Sequence, residues 1–415
     1  MSGLQTVRGT RDLLPEDSRR LRFIEERAFE TARRYGYGEV ATPIFEFTEV
    51  FARTLGDTSD VVTKEMYTFA DRGGDRLTLR PENTAGIVRA FISNGLAARL
   101  PLRVFYRGPM FRYERPQKGR LRQFHQVGVE LLGVADPLGD VEVIALAADV
   151  LDALGVGDST VLEINTLGDG ESRAAYRARL VEYLEAHRDG LSPDSLARLA
   201  RNPLRILDSK DPGDRQVVAG APPLAESLNT RSRDFFAAVL SGLDQAGIAY
   251  WLNSRMVRGL DYYCHTTFEF VTEALGAQGT VVAGGRYDGL VEQMGGPPTP
   301  GTGWAAGVER LMMLREAEAA AVSRPIVMIA LGREQFGAAF RLARRLRTSG
   351  HVVEFGFGAS LGKQMKWANK INARLAVIVG SDELSREVAT VRDMDAGAQE
   401  EVSLAMLEER LARSA

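Results

Sequence analysis

Three short stretches of this sequence combine residue types that can handle anions and polar rings. The first is a hairpin at 102–132, which reads LRVFYRGPMFRYE, a polar tip RPQKGR, then LRQFHQVGVELLG. On its return arm Gln126, Gly128 and Glu130 alternate with Val127, Val129 and Leu131, so a period of two puts Gln126 and Glu130 on one sheet face, opposite the apolar one. Arg112, near the tip of the other arm, can present a planar fork to a carboxylate or phosphate above that face. A sheet surface laced with ion pairs would carry the same residues, and the hairpin alone leaves both readings open. RGLDYY at 258–263 joins Arg258 and Asp261 to two tyrosines on a glycine-permitted bend, and AGGRYDGL at 283–290 places Arg286, Tyr287 and Asp288 where backbone can approach a ligand. GTGWAAGVERL at 301–311 looks like a phosphate loop entering a helix but lacks the Lys-Ser/Thr ending, which leaves a helix bearing Arg310. The four histidines (His125, His187, His265, His351) show no ligand spacing, so no histidine-built metal site is expected. His125 alternates with Gln126 and is expected on the apolar face.

The elements that must position these residues follow from periodicity. A leading helix is expected over about residues 15–36, then an extended VATPIF in which Pro43 suits a strand edge. MYTFA and RLTLRPE read as short strands around the turn DRGGD, and NTAGIVRAFISNGL as a helix with Asn83 as its N-cap. An amphipathic helix over 138–155 and the strand VLEINTLGD close the first block. Residues 170–245 turn helical and charged and look like an insertion. Strands return at IAYWLNSRM, TTFEFV and TVVAGG, followed by a helix from WAAGVERLMM onward. The whole is an α+β arrangement of mostly antiparallel strands with added helices. Beyond AAAVSRP, strand and helix alternate as in a parallel α/β unit of about 90 residues.

The 415 residues suit two to four domains, and one cysteine, Cys264, excludes a disulfide framework within the chain and any cysteine-based zinc site. No stretch approaches the roughly 20 apolar residues that span a bilayer, and a cytoplasmic protein is expected. The net charge of -3 conceals two basic runs. Between Arg103 and Arg122 there are seven basic residues against Glu114 alone, and between Arg333 and Arg374 nine against Glu334 and Glu354. Such runs point to a polyanionic partner.

Taken together and in order, RGTRD at 8–12, the Pro43 segment, TLRPENTAG at 78–86, FRYERPQKGRLRQFHQ at 111–126, VRGLDYY at 257–263, AGGRYDGL at 283–290 and GTGWAAGVERL at 301–311 resemble the histidyl-tRNA synthetases. They look like the motif 1 proline, the motif 2 strand-loop-strand and the motif 3 helix of class II synthetases, with two histidine-specific motifs between. The resemblance extends to SLGKQMKWANK and IVGSDEL in the tail, and departs from the expected pattern at Asn83, where a glycine is anticipated.

The resemblance implies a class II antiparallel sheet flanked by helices, built from residues 1–169 and 246–322, with a helical insertion at 170–245 and a C-terminal α/β anticodon-binding domain at 324–415. It implies activation of L-histidine by ATP to histidyl-adenylate and transfer to the 3′ end of tRNA(His), with Mg2+ carried on the nucleotide and no protein-bound metal. Arg112 would bridge the histidine carboxylate and the α-phosphate, Arg258 would sit across that phosphate, and Arg310 would hold the distal phosphate or stack on adenine. Glu82, Thr84 and Gln126 would hold the α-amino group. Glu130 and Tyr263, with Tyr262 and Tyr287, would grip the imidazole. At the hairpin tip Arg115, Gln117, Lys118 and Arg120 would approach the tRNA acceptor end. Lys363, Lys366 and Lys370, at helical spacings of three and four, would contact tRNA from the tail. Motif 1 would form a homodimer interface. The competing reading is a non-catalytic regulatory paralogue of ATP phosphoribosyltransferase. Retention of Arg112, Arg258, Arg310 and the RPQKGR tip argues against it.

Overall fold

The structure is a computed structural model that describes residues 4–55, 61–257, 262–276, 279–315, 324–357 and 360–412. The chain divides into two compact units, residues 1–320 and 321–415.

In the first unit the strands in chain order are β1 (Gly38–Glu39), β2 (Phe45–Phe47), β3 (Tyr67–Ala70), β4 (Arg76–Leu79), β5 (Leu102–Phe111), β6 (Gln123–Leu132), β7 (Val161–Thr166), β8 (Trp251–Leu252), β9 (Cys264–Val271), β10 (Thr280–Arg286) and β11 (Gly301–Gly307). Eight of them form one sheet in the order β1-β5-β6-β11-β10-β9-β7-β8, antiparallel except at its two ends. The expected hairpin pairs over its full length, from Leu102↔Leu132 to Phe111↔Gln123. Val127, Val129 and Leu131 are fully buried in the main core, as the period-two reading requires.

That core lies between the sheet and three helices. Pro15–Arg34 starts on a proline, carries Glu16 and Asp17 in its first turn and Arg33 and Arg34 in its last, and buries Leu21, Ile24, Ala28 and Ala32 at spacings of three and four. Leu138–Ala153, expected to be amphipathic, is instead central. Asp140, Val141, Ile144, Leu146 and Val150 are buried on several sides, and the Trp304 indole of β11 donates to the Val143 carbonyl at 2.9 Å. The third, Thr230–Gln245, places Val239 and Leu243 in the same core. Its packing therefore joins it to the sheet, although its charged composition reads with the insertion. The preceding helices Gly170–Ala186, Pro193–Arg201 and Pro212–Ala219 bury Tyr176 and Leu180, Leu199, and Val218 respectively in a separate cluster.

Two strand expectations need correction. IAYWLNSRM contributes only the two residues of β8. GTGWAAG is strand β11, with helix confined to Val308–Leu314 among the described residues. The small residues serve the sheet here: β11 lies against β6 with Gly303 opposite Glu130, and a Cβ on Gly303 would fall 2.0 Å from Glu130 Oε2. The glycine makes room for a carboxylate rather than for a phosphate turn.

A small sheet, β2-β4-β3, alternates in the reverse sense. Glu46 and Thr78 are buried, with Glu46 paired to Arg89 of the helix Thr84–Ser93, while Phe45 and Phe47 are more than half exposed. Ile44 and Phe69 are exposed as well.

The second unit contains β12 (Ile326–Ala330), β13 (Val353–Phe355), β14 (Leu375–Val379), β15 (Val388–Asp393) and β16 (Gln399–Ser403) in the order β13-β12-β14-β15-β16. The first three are parallel, as the alternation of strand and helix predicts, but β15 and β16 add an antiparallel edge, so the sheet is mixed. Lys363, Lys366 and Lys370 are all exposed on the helix Leu361–Lys370, whose other side buries Gln364 and Ala368.

Candidate active site

On the face of β6 and β11 away from the main core lies a cleft of about 990 Å³, part of it open solvent. Period two on β6 sends Gln126 and Glu130 into it, and the same alternation on β5 sends Tyr106. Arg112 follows the last residue of β5 and also reaches the cleft, with its backbone N–H donating to the Arg122 carbonyl at 2.9 Å. The ion-paired-surface reading of this face therefore does not hold: these side chains line a concavity.

Glu130, 1% exposed, is the centre of the buried part. Thr84 Oγ1 donates to its Oε1 at 2.7 Å and the Tyr287 hydroxyl donates to Oε2. Tyr263 packs on Tyr262 at 4.6 Å between ring centroids, and Tyr262 meets Tyr287 edge-on at 5.8 Å. Glu82 accepts from the backbone N–H groups of Thr84 (2.6 Å) and Ala85 (3.0 Å), and so caps the helix Thr84–Ser93. Asn83, expected to be the cap, is helical in backbone and makes no capping bond. Its Oδ1 instead accepts from Thr42 Oγ1 at 2.6 Å and from Arg80 Nη1 at 3.3 Å. Arg80 is buried and also donates to the Pro109 carbonyl, tying the Glu82 segment to β5.

Two buried polar atoms in the lining, the Tyr106 hydroxyl and Gln126 Oε1, make no hydrogen bond among the described residues. Buried polar atoms are nearly always paired, so both remain available to a polar group entering the cleft. Tyr106 escapes a reading of charged motifs. Its one signal is register, because it sits opposite Gly128, where a Cβ would fall 2.4 Å from its hydroxyl.

The more exposed part of the cleft is cationic. Arg112 donates from Nε to the Pro81 carbonyl at 2.9 Å and lies 5.3 Å from the Phe124 ring centroid. Arg310 donates to the carbonyls of Thr280 (2.6 Å) and Gly119 (3.3 Å), and Arg120 pairs with Glu114 at 3.1 Å. Glu114, unassigned from sequence, also lies 3.9 Å from Arg112. Arg120 was expected to face tRNA with its neighbours but lines the cleft. Gln117 and Arg120 close a tight turn through paired backbone hydrogen bonds, which leaves Arg115, Gln117 and Lys118 exposed. Arg258 and Asp261 lie outside the described residues.

Neighbouring positions on the same strands face the other way and hold the frame. His125 does face away from the cleft, but its partner is a carboxylate: Nδ1 lies 2.9 Å from Glu309 Oε1, and its backbone N–H donates to the same group. Arg286, wholly buried, binds Asp140 through Nε (2.9 Å) and Nη2, and Asp288 through Nη1 (3.0 Å). It thereby anchors the bend that carries Tyr287. Replacing Arg286 with alanine leaves Asp140 buried without its cation and should cost about 3–5 kcal/mol of stability. A denaturant titration showing less than about 1 kcal/mol would contradict this.

Burial raises the Glu130 carboxyl from the ordinary 4.5 to about 8, reinforced by nearby Glu82 and opposed by the bonds from Tyr287 and Thr84. Burial likewise raises Glu82. The folded chain thus binds a proton at Glu130 that the unfolded chain releases near 4.5, and stability falls as pH rises from there towards 8. Glu130→Gln removes the titration. Relative to the parent, its stability should therefore improve by up to a few kcal/mol between pH 5 and pH 8.5. Melting curves with a pH-independent difference would refute the assignment.

The basic run around Arg112 is not one surface. Arg103 pairs with Glu142 and Arg107 with Glu39, both at 2.8 Å, so acids distant in sequence neutralise its first part. No group of three or more His, Cys, Asp or Glu side chains that could hold a metal ion occurs among the described residues. No helix among them is long and apolar enough to cross a membrane.

Comparison with known proteins identifies the family. Residues 9–311 match the family model for histidyl-tRNA synthetase, and residues 326–414 match that for an anticodon binding domain. The histidine–tRNA ligase of Rhodospirillum rubrum is 64% identical over 413 residues, 100% of both chains, and that of Gluconacetobacter diazotrophicus 56% identical over 97% of each. The crystal structure of apo histidyl-tRNA synthetase from S. aureus superposes with a TM-score of 0.83 at 33% identity, covering 98% of this chain and 99% of that one. With the class II sheet, the Glu130 pocket and the arginine cluster all present in one unit, the chain belongs to the histidyl-tRNA synthetase family.

Proposed function

We propose that the cleft binds L-histidine at its Glu130 end and ATP at its arginine end. The chain is a histidine–tRNA ligase, which joins histidine to AMP with release of diphosphate and then passes histidine to tRNA. One observation carries the residue assignment: a buried carboxyl group ringed by hydroxyls and a cluster of three arginines line the same cleft. Glu130 and Tyr263 contact the imidazole, with Tyr287 and Tyr262 fixing the walls. Gln126 Oε1 and the carboxyl of Glu82 hold the α-amino group, with Thr84 beside them. A site of buried polar partners rejects analogues that leave them unpaired.

In the first step the histidine carboxylate attacks the α-phosphorus and the bond to the diphosphate oxygen breaks. Both reactants are anions, so the work is positioning and charge neutralisation. Arg112, fixed by Pro81 and Phe124, lies between the two ends and faces the reacting oxygens, and Arg258 supplies a second positive charge for the α-phosphate. Arg310 and Arg120 hold the distal phosphates, and Mg2+ arrives on the nucleotide. In the second step a terminal ribose hydroxyl of tRNA(His) attacks the acyl carbon and AMP leaves. Arg115, Gln117 and Lys118, exposed at the tip, meet the acceptor end. Lys363, Lys366 and Lys370 meet tRNA phosphates from the second unit. Charging of a tRNA(His) transcript with labelled histidine tests the assignment: the parent should charge it, and Glu130→Ala should not at micromolar histidine.

The chain works as a homodimer in the cytoplasm. The reversed alternation of β2-β4-β3, with Phe45, Phe47 and Phe69 outward and Glu46 inward, supplies the apolar face that a second copy covers. Light scattering should give twice the chain mass, and Phe47→Glu should yield monomers.

A further inference from the structure

The RGTRD stretch at residues 8–12 has no place in the chemistry above, yet the chain around it is built against the cleft's cationic side. Thr10 closes a tight turn on Val7, through its N–H at 2.9 Å and its hydroxyl at 2.7 Å. Gly9 stands in the turn at φ +86°, in the left-handed region. Its carbonyl accepts the Arg122 N–H at 2.7 Å, and the Arg122 carbonyl in turn accepts the Arg112 N–H at 2.9 Å. Backbone hydrogen bonds therefore run from Gly9 through Arg122 to Arg112, extending the open end of the hairpin by one more strand-like contact.

The fit at Gly9 leaves no room for a side chain. A Cβ there would lie 2.8 Å from Arg122 Cγ and 2.9 Å from Pro116 Cγ, closer than carbon atoms pack. Arg122 also bonds the Glu114 carbonyl through Nε at 3.2 Å and lies 3.9 Å over the Tyr113 ring. Glu114 in turn pairs with Arg120 and neighbours Arg112. Displacing Arg122 thus displaces three charged groups of the cleft together, whereas Glu130, Tyr287 and Thr84 are held by other contacts.

We infer that the N-terminal strap Val7–Thr10 is a positioning element for the nucleotide end of the cleft, setting Arg112, Glu114 and Arg120 through Arg122 without touching substrate. This rests on the assignment of the arginine end to ATP. Two full-length variants test it. Gly9→Val forces a β-branched residue into a left-handed turn against Arg122, and should raise the KM for ATP in pyrophosphate exchange about tenfold or more. Thr10→Val removes only the hydroxyl bond that closes the turn and should raise it about two- to fivefold. Histidine affinity, read by calorimetry without ATP, should stay within about twofold of the parent for both, which a general loss of folding would not produce.

An unchanged KM for ATP in both variants would overturn the inference, as would an equal loss of histidine affinity. If Gly9→Val melts far below the parent, the Thr10→Val result decides. Failure of the parent itself to exchange pyrophosphate in the presence of histidine would instead overturn the underlying assignment, and the strap's role with it.

Discussion

Arg112→Ala should slow histidine-dependent adenylate formation by about a hundred- to a thousandfold, with a much smaller effect on histidine binding. The guanidinium is already committed in orientation before any substrate arrives. Its Nε donates to the Pro81 carbonyl, one residue from Glu82, and its plane lies near the Phe124 ring. A cation fixed in this way costs no reorganisation when negative charge grows at the reacting oxygens, and that is where preorganised donors are worth most. Arg112→Lys should recover little, because an ammonium can neither make the Nε bond nor offer a fork. Single-turnover rates at saturating ATP and histidine are the measure. A variant with parental rates and only a raised Michaelis constant would mean that Arg112 merely binds.

The second large effect is expected on tRNA. Changing Lys363, Lys366 and Lys370 together to alanine should weaken tRNA(His) binding at physiological salt and reduce the slope of log affinity against log salt by about two to three, as three lost phosphate contacts require. Their ammonium groups are exposed on one helix whose opposite side is buried, so the substitutions leave the packing of the second unit untouched. Pyrophosphate exchange should be unaffected. Parental affinity and salt slope in a folded triple variant would make this helix an ordinary solvated surface.

How much of this was legible in the sequence depends on how far each contact reaches along the chain. Period two on β6 was enough to put Gln126 and Glu130 on one face, because that rule is local. The partners of Glu130 come from Thr84 and Tyr287, 46 and 157 residues away, and no spacing rule connects them. Arg286 stood out as one of three polar residues on a bend. Its role is to bind Asp140 across 146 residues, while its neighbour Tyr287 enters the cleft. The β11 segment reads as the start of a helix because Trp304, Ala305 and Ala306 run without a break into the helical VERLMM. The reason for its small residues, room beside Glu130, exists only once β6 lies against it.

Helix capping failed for a similar reason. Asn83 has the usual capping chemistry, but its amide is drawn into the Thr42 and Arg80 contacts, and Glu82 takes over the free N–H groups. Local charge was the least reliable guide. Within the run from Arg103 to Arg122, Arg103 and Arg107 are neutralised by Glu142 and Glu39, and Arg120 turns into the cleft, so the surface left for RNA is smaller than the sequence suggests.

The central claim is that one cleft joins a histidine pocket to an ATP site. Exchange of labelled pyrophosphate into ATP by the full-length chain, measured with each of the twenty amino acids, tests it most directly. Exchange should depend on histidine, with glutamine and phenylalanine lower by about 10⁴ or more, since neither satisfies the Glu130 pocket. Comparable exchange with any second amino acid, or none with histidine, would contradict the account.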